Sequence, residues 1–227
     1  MVIFADGADL NSIRELNKNP LVQGFTTNPT LMRKSGVTDY KEFALQVLKE
    51  VSKPVSFEVI ADDFPTMYTQ ALEVASWGLN VFVKIPITTT EGTSTVALID
   101  ELTKEGVKIN VTAITTIEQV KHVLPVMNAG SYVSVFAGRI ADTGVDPLYI
   151  MYDVIELAHR KTIEVIWASP REVFNIYQAQ RIGCDIITCT SDLIRKYEAL
   201  KGKDLTEYSL ETVQMFFRDA TESGLKL

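Results

Sequence analysis

The chain has 227 residues, 46% of them hydrophobic, and a formal net charge of −7. That length accommodates one barrel-sized domain or two small ones. The acidic balance argues against a nucleic-acid or anionic-membrane partner, both of which need a basic surface, and no apolar run reaches membrane-spanning length.

The amino terminus passes straight into a strand-like Val2-Ile3-Phe4-Ala5, with no basic n-region and no long apolar h-region, so a cytoplasmic protein is expected. Short β-branched runs then predict strands over 2–6, 22–28, 54–60, 80–85, 107–112, 131–136, 163–169 and 184–189. Amphipathic stretches near 9–18, 39–51, 64–77, 93–105, 115–127, 146–160, 170–182 and 190–200 predict the helices between and after them. Gly78, Gly106, Gly130 and Gly183 stand where helices stop or strands begin, and Pro20, Pro54, Pro86 and Pro170 mark element ends. Eight strand–helix units in one series predict an α/β fold, a single (β/α)8 barrel of the TIM type over 1–204. An open doubly wound sheet is the alternative, but no glycine-rich phosphate loop follows the first strand. Residues 205–227 form a surplus helical extension with an apolar stripe of Leu210, Val213, Phe216, Phe217 and Ala220, expected to pack on the barrel or on a neighbouring subunit.

Cys184 and Cys189 lie an odd offset apart, which on one strand sends them to opposite faces and argues against a disulfide or a shared metal. His122 and His159 lack ligand spacing and read as surface or satisfied histidines.

The strands are apolar on one parity only, although parallel strands covered on both faces tend to be continuously apolar. Phe57 and Val59 oppose Ser56 and Glu58; Ile109 and Val111 oppose Asn110 and Thr112; Val133 and Val135 oppose Tyr132, Ser134 and Phe136. In a barrel the apolar parity meets the helices and the other faces the lumen. Asp6, Asn28, Glu58, Lys84, Asn110, Thr112, Ser134 and Ser169 therefore gather at the carboxyl ends of the strands, where active sites of this fold sit. Burying so many polar groups is costly unless they satisfy one another or a ligand.

Lys84, in Asn80-Val81-Phe82-Val83-Lys84-Ile85-Pro86, ends a buried strand. Desolvation lowers a lysine's pKa and exposes a nucleophilic amine able to form a Schiff base with a carbonyl. A snorkelling or carboxylate-paired lysine fits the same position. Likewise Asn28 before Pro29 fits a turn, Thr112 fits an ordinary strand threonine, and Ser169 before Pro170 fits a helix N-cap.

Six motifs occur in order: Phe4-Ala5-Asp6, Gly24-Phe25-Thr26-Thr27-Asn28-Pro29, Lys84-Ile85-Pro86, Asn110-Val111-Thr112-Ala113, Ser134-Val135-Phe136-Ala137-Gly138-Arg139 and Ala168-Ser169-Pro170-Arg171. On these the chain resembles the small-subunit branch of the transaldolase family, which includes fructose-6-phosphate aldolases. The resemblance implies a cofactor-free, metal-free class I mechanism in carbohydrate metabolism of the pentose phosphate type. Lys84 corresponds to the Schiff-base lysine, Asp6 to the acceptor of the C4 hydroxyl proton, and Glu58 with Thr112 to the holders of a proton-shuttling water. Asn28, Asn110 and Ser134 would orient the dihydroxyacetone unit, Phe136 would line the pocket, and Arg139, Ser169 and Arg171 would bind the terminal phosphate.

The aldolase pattern has glutamine and tyrosine where this chain has Glu58 and Phe136, so transfer to an aldose phosphate is the first expectation and release of dihydroxyacetone the second. Trp167 and Pro170 depart from the family's usual phosphate motif, and a lumen-facing Trp167 indole would reshape the anion pocket. That leaves a sugar phosphate or a sulfosugar, 6-deoxy-6-sulfofructose, as donor. The non-enzymatic alternative is a phosphosugar-binding barrel. The resemblance also implies a homo-oligomer, a pentamer or decamer.

Overall fold

The computed structural model describes residues 1–224. Eight parallel strands close a barrel in sequence order: β1 Val2–Asp6, β2 Val22–Thr26, β3 Val55–Glu58, β4 Val81–Pro86, β5 Ile109–Ile114, β6 Tyr132–Val135, β7 Glu164–Trp167 and β8 Ile186–Thr190. β8 pairs back onto β1, with Asp6 level with Thr190. The helices are α1 Leu10–Asn17, α2 Pro29–Lys34, α3 Tyr40–Glu50, α4 Phe64–Ser76, α5 Val96–Lys104, α6 Ile117–Val123, α7 Ala137–Asp142, α8 Pro147–His159, α9 Phe174–Arg181, α10 Ser191–Leu200 and α11 Leu205–Glu222. This is the (β/α)8 barrel with an added C-terminal helix. One compact unit comprises residues 1–194, and a second begins at Arg195.

Asp9, Asp39, Asp63 and Asp146 open α1, α3, α4 and α8, each accepting a first-turn N–H on its carboxylate. The expected helix over 115–127 divides, because Pro125 has no N–H to donate; α6 gives way to a 3₁₀ turn over Leu124–Val126. Both cysteines are free and buried, and burial pushes each thiol up to about 12. Cys184 precedes β8, so the single-strand argument for separating the two does not apply. No helix among the described residues is long and apolar enough to cross a membrane.

The parity of the strands sorts the barrel into two compartments. Phe57, Val83, Ile85, Val111, Val133, Val165 and Ile187 are fully buried on the outward parity. On the inward parity Phe4, Phe82, Tyr132, Ile166 and Ile186 form one apolar cluster. Phe82 and Tyr132 stack with centroids 4.1 Å apart, and Phe4 meets Tyr132 edge-on at 6.0 Å. Gly24 makes room for this plug, since a Cβ there would lie 2.5 Å from the Phe4 ring. The plug closes the amino-terminal end of the lumen, and polar residues occupy the other end.

Candidate active site

Above the plug lies a cavity of about 630 Å³, within the range of small-molecule sites. Lys84 is only 5% exposed there, the product of a β-branched strand that buries everything around it. Register places Glu58 of β3 directly beside it, and Lys84 Nζ lies 3.0 Å from Glu58 Oε2. The same Nζ donates to the Thr27 carbonyl at 2.8 Å. The lysine is thus paired and aimed, with its amine on the cavity wall.

Asp6 ends β1 on that wall. Thr26 Oγ1 donates to Asp6 Oδ1 at 2.7 Å and shares a 2.6 Å bond with Thr188 Oγ1, while Asn28 Nδ2 approaches Asp6 Oδ2 at 3.4 Å. Burial pushes the Asp6 carboxyl above its ordinary value; the charge of Lys84 and the bonds from Thr26 and Asn28 pull the other way and do not win. Asn28 does two things at once, since its Oδ1 also accepts the Leu31 N–H at 3.0 Å and caps α2.

Thr112 Oγ1 is buried on the cavity wall with no hydrogen-bond partner among the described residues. A buried hydroxyl of this kind costs about 1–3 kcal/mol unless water or ligand satisfies it. Just beyond it β5 breaks register, and Ala113 adopts φ 62°, which turns the chain at the cavity rim. Ser134 also lines the cavity, but Asn110 lies beneath it, fully buried. Asn110 donates to Ser56 Oγ at 3.0 Å and accepts from Ser134 Oγ at 2.7 Å, so it orients Ser134 from below.

The cationic end is built by two short segments. α7 carries Arg139, whose guanidinium sits 5.3 Å from the Phe136 ring on the cavity wall. After β7 the chain brings in Ser169 and Arg171. Ser169 has φ 61°, and α9 begins at Phe174 rather than Pro170, so the N-cap reading of Ser169 is corrected: it is a left-handed turn residue. The turn presses its carbonyl onto Gly138, where a Cβ would stand 1.6 Å from the Ser169 oxygen. Arg171 Nε donates to Asp142 Oδ1 at 3.0 Å, and that bond holds Asp142 below the usual carboxylate range.

Trp167 is the second correction. It is fully buried, alternates with the lumen residue Ile166, and does not line the cavity. Its indole belongs to the outward parity, and the pleat of β7 is the reason. The structure brings together Lys84, Asp6, Glu58, Thr112, Asn28, Ser134, Phe136, Arg139, Ser169 and Arg171, leaving Asn110 below and Trp167 outside. Sequence reasoning missed Thr26 and Thr188, Lys34 on the wall, and Asp142. Thr26 lay within a motif already singled out; the Thr27 carbonyl carries no sequence signal at all.

Lys84, two carboxyl groups and two arginines thus line one cavity at the carboxyl-terminal mouth of a (β/α)8 barrel. Comparison with known proteins gives the family. The family described as Transaldolase/Fructose-6-phosphate aldolase matches residues 3–227, and the chain belongs to that family. It is 35% identical, over the whole of both chains, to a probable transaldolase of Thermoanaerobacter sp. (strain X514). A probable transaldolase of Methanococcus maripaludis (strain C7 / ATCC BAA-1331) is 38% identical over 93% of this chain and 94% of its own. One from Streptococcus agalactiae serotype V (strain ATCC BAA-611 / 2603 V/R) is 36% identical over 93% and 95%.

Proposed function

We propose that the protein is a class I transaldolase that moves a dihydroxyacetone unit from a ketose 6-phosphate of the fructose 6-phosphate type to an aldose phosphate. The observation that carries this reading is Lys84 Nζ, buried, 3.0 Å from Glu58 and on one cavity wall with Asp6 and Thr112. Lys84 attacks the C2 carbonyl, and Glu58 with Thr112 directs the water whose protons are exchanged as the carbinolamine dehydrates to the imine. Asp6 then takes the C4 hydroxyl proton as the C3–C4 bond breaks, releasing the aldehyde and leaving an enamine on Lys84. The enamine adds to the acceptor aldehyde, which recovers the proton from Asp6, and water hydrolyses the product imine. A carboxyl raised by burial suits this duty, because it can hold a proton and return it. Asn28 and Ser134 orient the hydroxyls, with Asn110 acting through Ser134; Arg139, Ser169 and Arg171 hold the anion.

One observation favours a second donor. Arg171 already shares its charge with Asp142, which suits a monoanion such as the sulfonate of 6-deoxy-6-sulfofructose better than a phosphate ester carrying about −1.5 to −2. A fructose-6-phosphate aldolase releasing dihydroxyacetone to water is the third form of the same chemistry, opposed by Glu58 and Phe136. We also propose a homo-oligomer, supported by Leu210, Val213, Phe216 and Phe217 exposed on α11; a monomer in light scattering at micromolar concentration would remove it.

The test is borohydride reduction in the presence of each ketose, followed by intact mass and peptide mapping. An adduct on Lys84 that is lost in Lys84→Ala supports the enzyme. No adduct with either donor would leave a sugar-binding barrel. Acceptor-stimulated turnover separates transferase from aldolase.

A further inference from the structure

The seam between β2 and β3 departs from a regular ladder at the level of the active site. Paired parallel strands exchange bonds from alternate residues, and here Phe25 N donates to the Pro54 carbonyl and Thr27 N to the Ser56 carbonyl. Continued one step, the ladder would send the Glu58 N–H to the Thr27 carbonyl and the N–H of residue 29 to the Glu58 carbonyl. Residue 29 is proline and has no N–H. The Thr27 carbonyl accepts Lys84 Nζ instead. Both backbone groups of Glu58 are taken by one side chain: the Tyr40 hydroxyl accepts the Glu58 N–H at 2.7 Å and donates to the Glu58 carbonyl at 2.9 Å.

We infer that Tyr40 is a positioning residue for the lysine–carboxylate pair. Its hydroxyl replaces two ladder bonds, fixes the backbone from which Glu58 reaches Lys84, and keeps the Thr27 carbonyl free for the amine. The inference rests on the catalytic reading above. Tyr40 is itself held firmly. It is the first residue of α3, whose first turn is capped by Asp39 accepting the Glu42 N–H at 2.8 Å. Its ring meets Trp77 edge-on at 5.6 Å and Phe57 at 6.3 Å. Burial drives its phenol well above the ordinary range, so the hydroxyl keeps the proton that it donates to Glu58 across working pH.

Tyr40→Phe keeps the ring and removes only the two bonds. With the hydroxyl gone, the Glu58 N–H is left to compete with Lys84 for the Thr27 carbonyl. Quenched borohydride trapping in the full chain should show imine formation slowed about 10- to 100-fold per folded molecule, the scale of a misplaced catalytic group. Aldehyde release from the imine once formed should stay within about twofold, because it depends on Asp6. Both rates unchanged per folded molecule, or both slowed alike, would overturn the inference. If Tyr40→Phe does not fold, Asp39→Ala loosens the same anchor and should slow imine formation selectively. Asp63→Ala, which uncaps α4 in the same manner, should change neither step; equal trapping by the two cap variants would overturn the inference. Wild-type protein that traps no ketose would overturn the catalytic reading and this one with it, a result visible before any variant is made.

Discussion

Phe4, Phe82, Tyr132 and Ile186 close one end of the lumen, while two residues further along the same strands stand Asp6, Lys84, Ser134 and Thr188. The two ends share strands, pleat and parity, so neither fold nor register distinguishes them. What differs is only where along each strand the side chain changes from apolar to polar. The dry floor has an electrostatic effect on the layer above it: it removes solvent from beneath Asp6, and burial is the leading cause of that carboxyl's rise. An apolar packing layer and a polar layer thus succeed each other along one barrel, and the proposed chemistry falls to the second.

Variants placed one layer apart test that division. Asp6→Ala should still form the imine but cleave about 10²- to 10⁴-fold more slowly, measured by trapping against aldehyde release. Phe82→Ala, one layer down, should lose about 3–5 kcal/mol in denaturant unfolding and retain turnover per folded molecule. A Phe82 variant that keeps its stability and loses its chemistry would show that the layers are not separable. Gly138→Ala forces the Ser169 turn away from α7 and should cost about 1–3 kcal/mol of stability while raising KM for an anionic ketose. Arg171→Ala should raise KM for the anionic donor about 10- to 100-fold and leave dihydroxyacetone nearly untouched, a contrast steady-state kinetics would read directly.

The smallest effect has the opposite sign. A carboxyl whose folded pKa is raised binds more protons in the folded state between its unfolded and folded values, so it lowers stability as pH rises through that window. Asp6→Asn should therefore raise Tm at neutral pH, by about 2–4 °C for each kcal/mol recovered, and the gain should fade as pH falls through that window, to vanish below the ordinary aspartate value of 3.8. In the wild type, the rate of cleavage should fall on the acid side at a pH above the usual carboxylate range.

Most of the site could be read from strand parity. Ser56, Glu58, Lys84 and Thr112 are polar residues in otherwise apolar strands, and a period of two assigns them to the lumen without coordinates. Trp167 shows the limit of that rule, since it was expected inside although the pleat that carries Ile166 inward carries it out. The short α2 and α7 were missed because six residues, Pro29–Lys34 and Ala137–Asp142, are too few to establish a helical period, yet they position Asn28 and Arg139. Ser169-Pro170 carried a helix-start signal, and close approach to Gly138 prevailed over it. Backbone contributions such as the Thr27 carbonyl leave no trace in residue identity, and Tyr40 is indistinguishable from any other residue at a helix start.

Gly24 and Phe4 have a bearing on how such a site can change over time. The missing Cβ at Gly24 is occupied space, filled by the Phe4 ring. Any side chain at residue 24 must first evict the ring, and losing the ring alone opens a void below Asp6. Neither position can drift by itself without an unstable intermediate, so the two behave as a single heritable unit. New substrates are more readily reached from the rim, through the segments that carry Arg139 and Arg171, than by remodelling the floor.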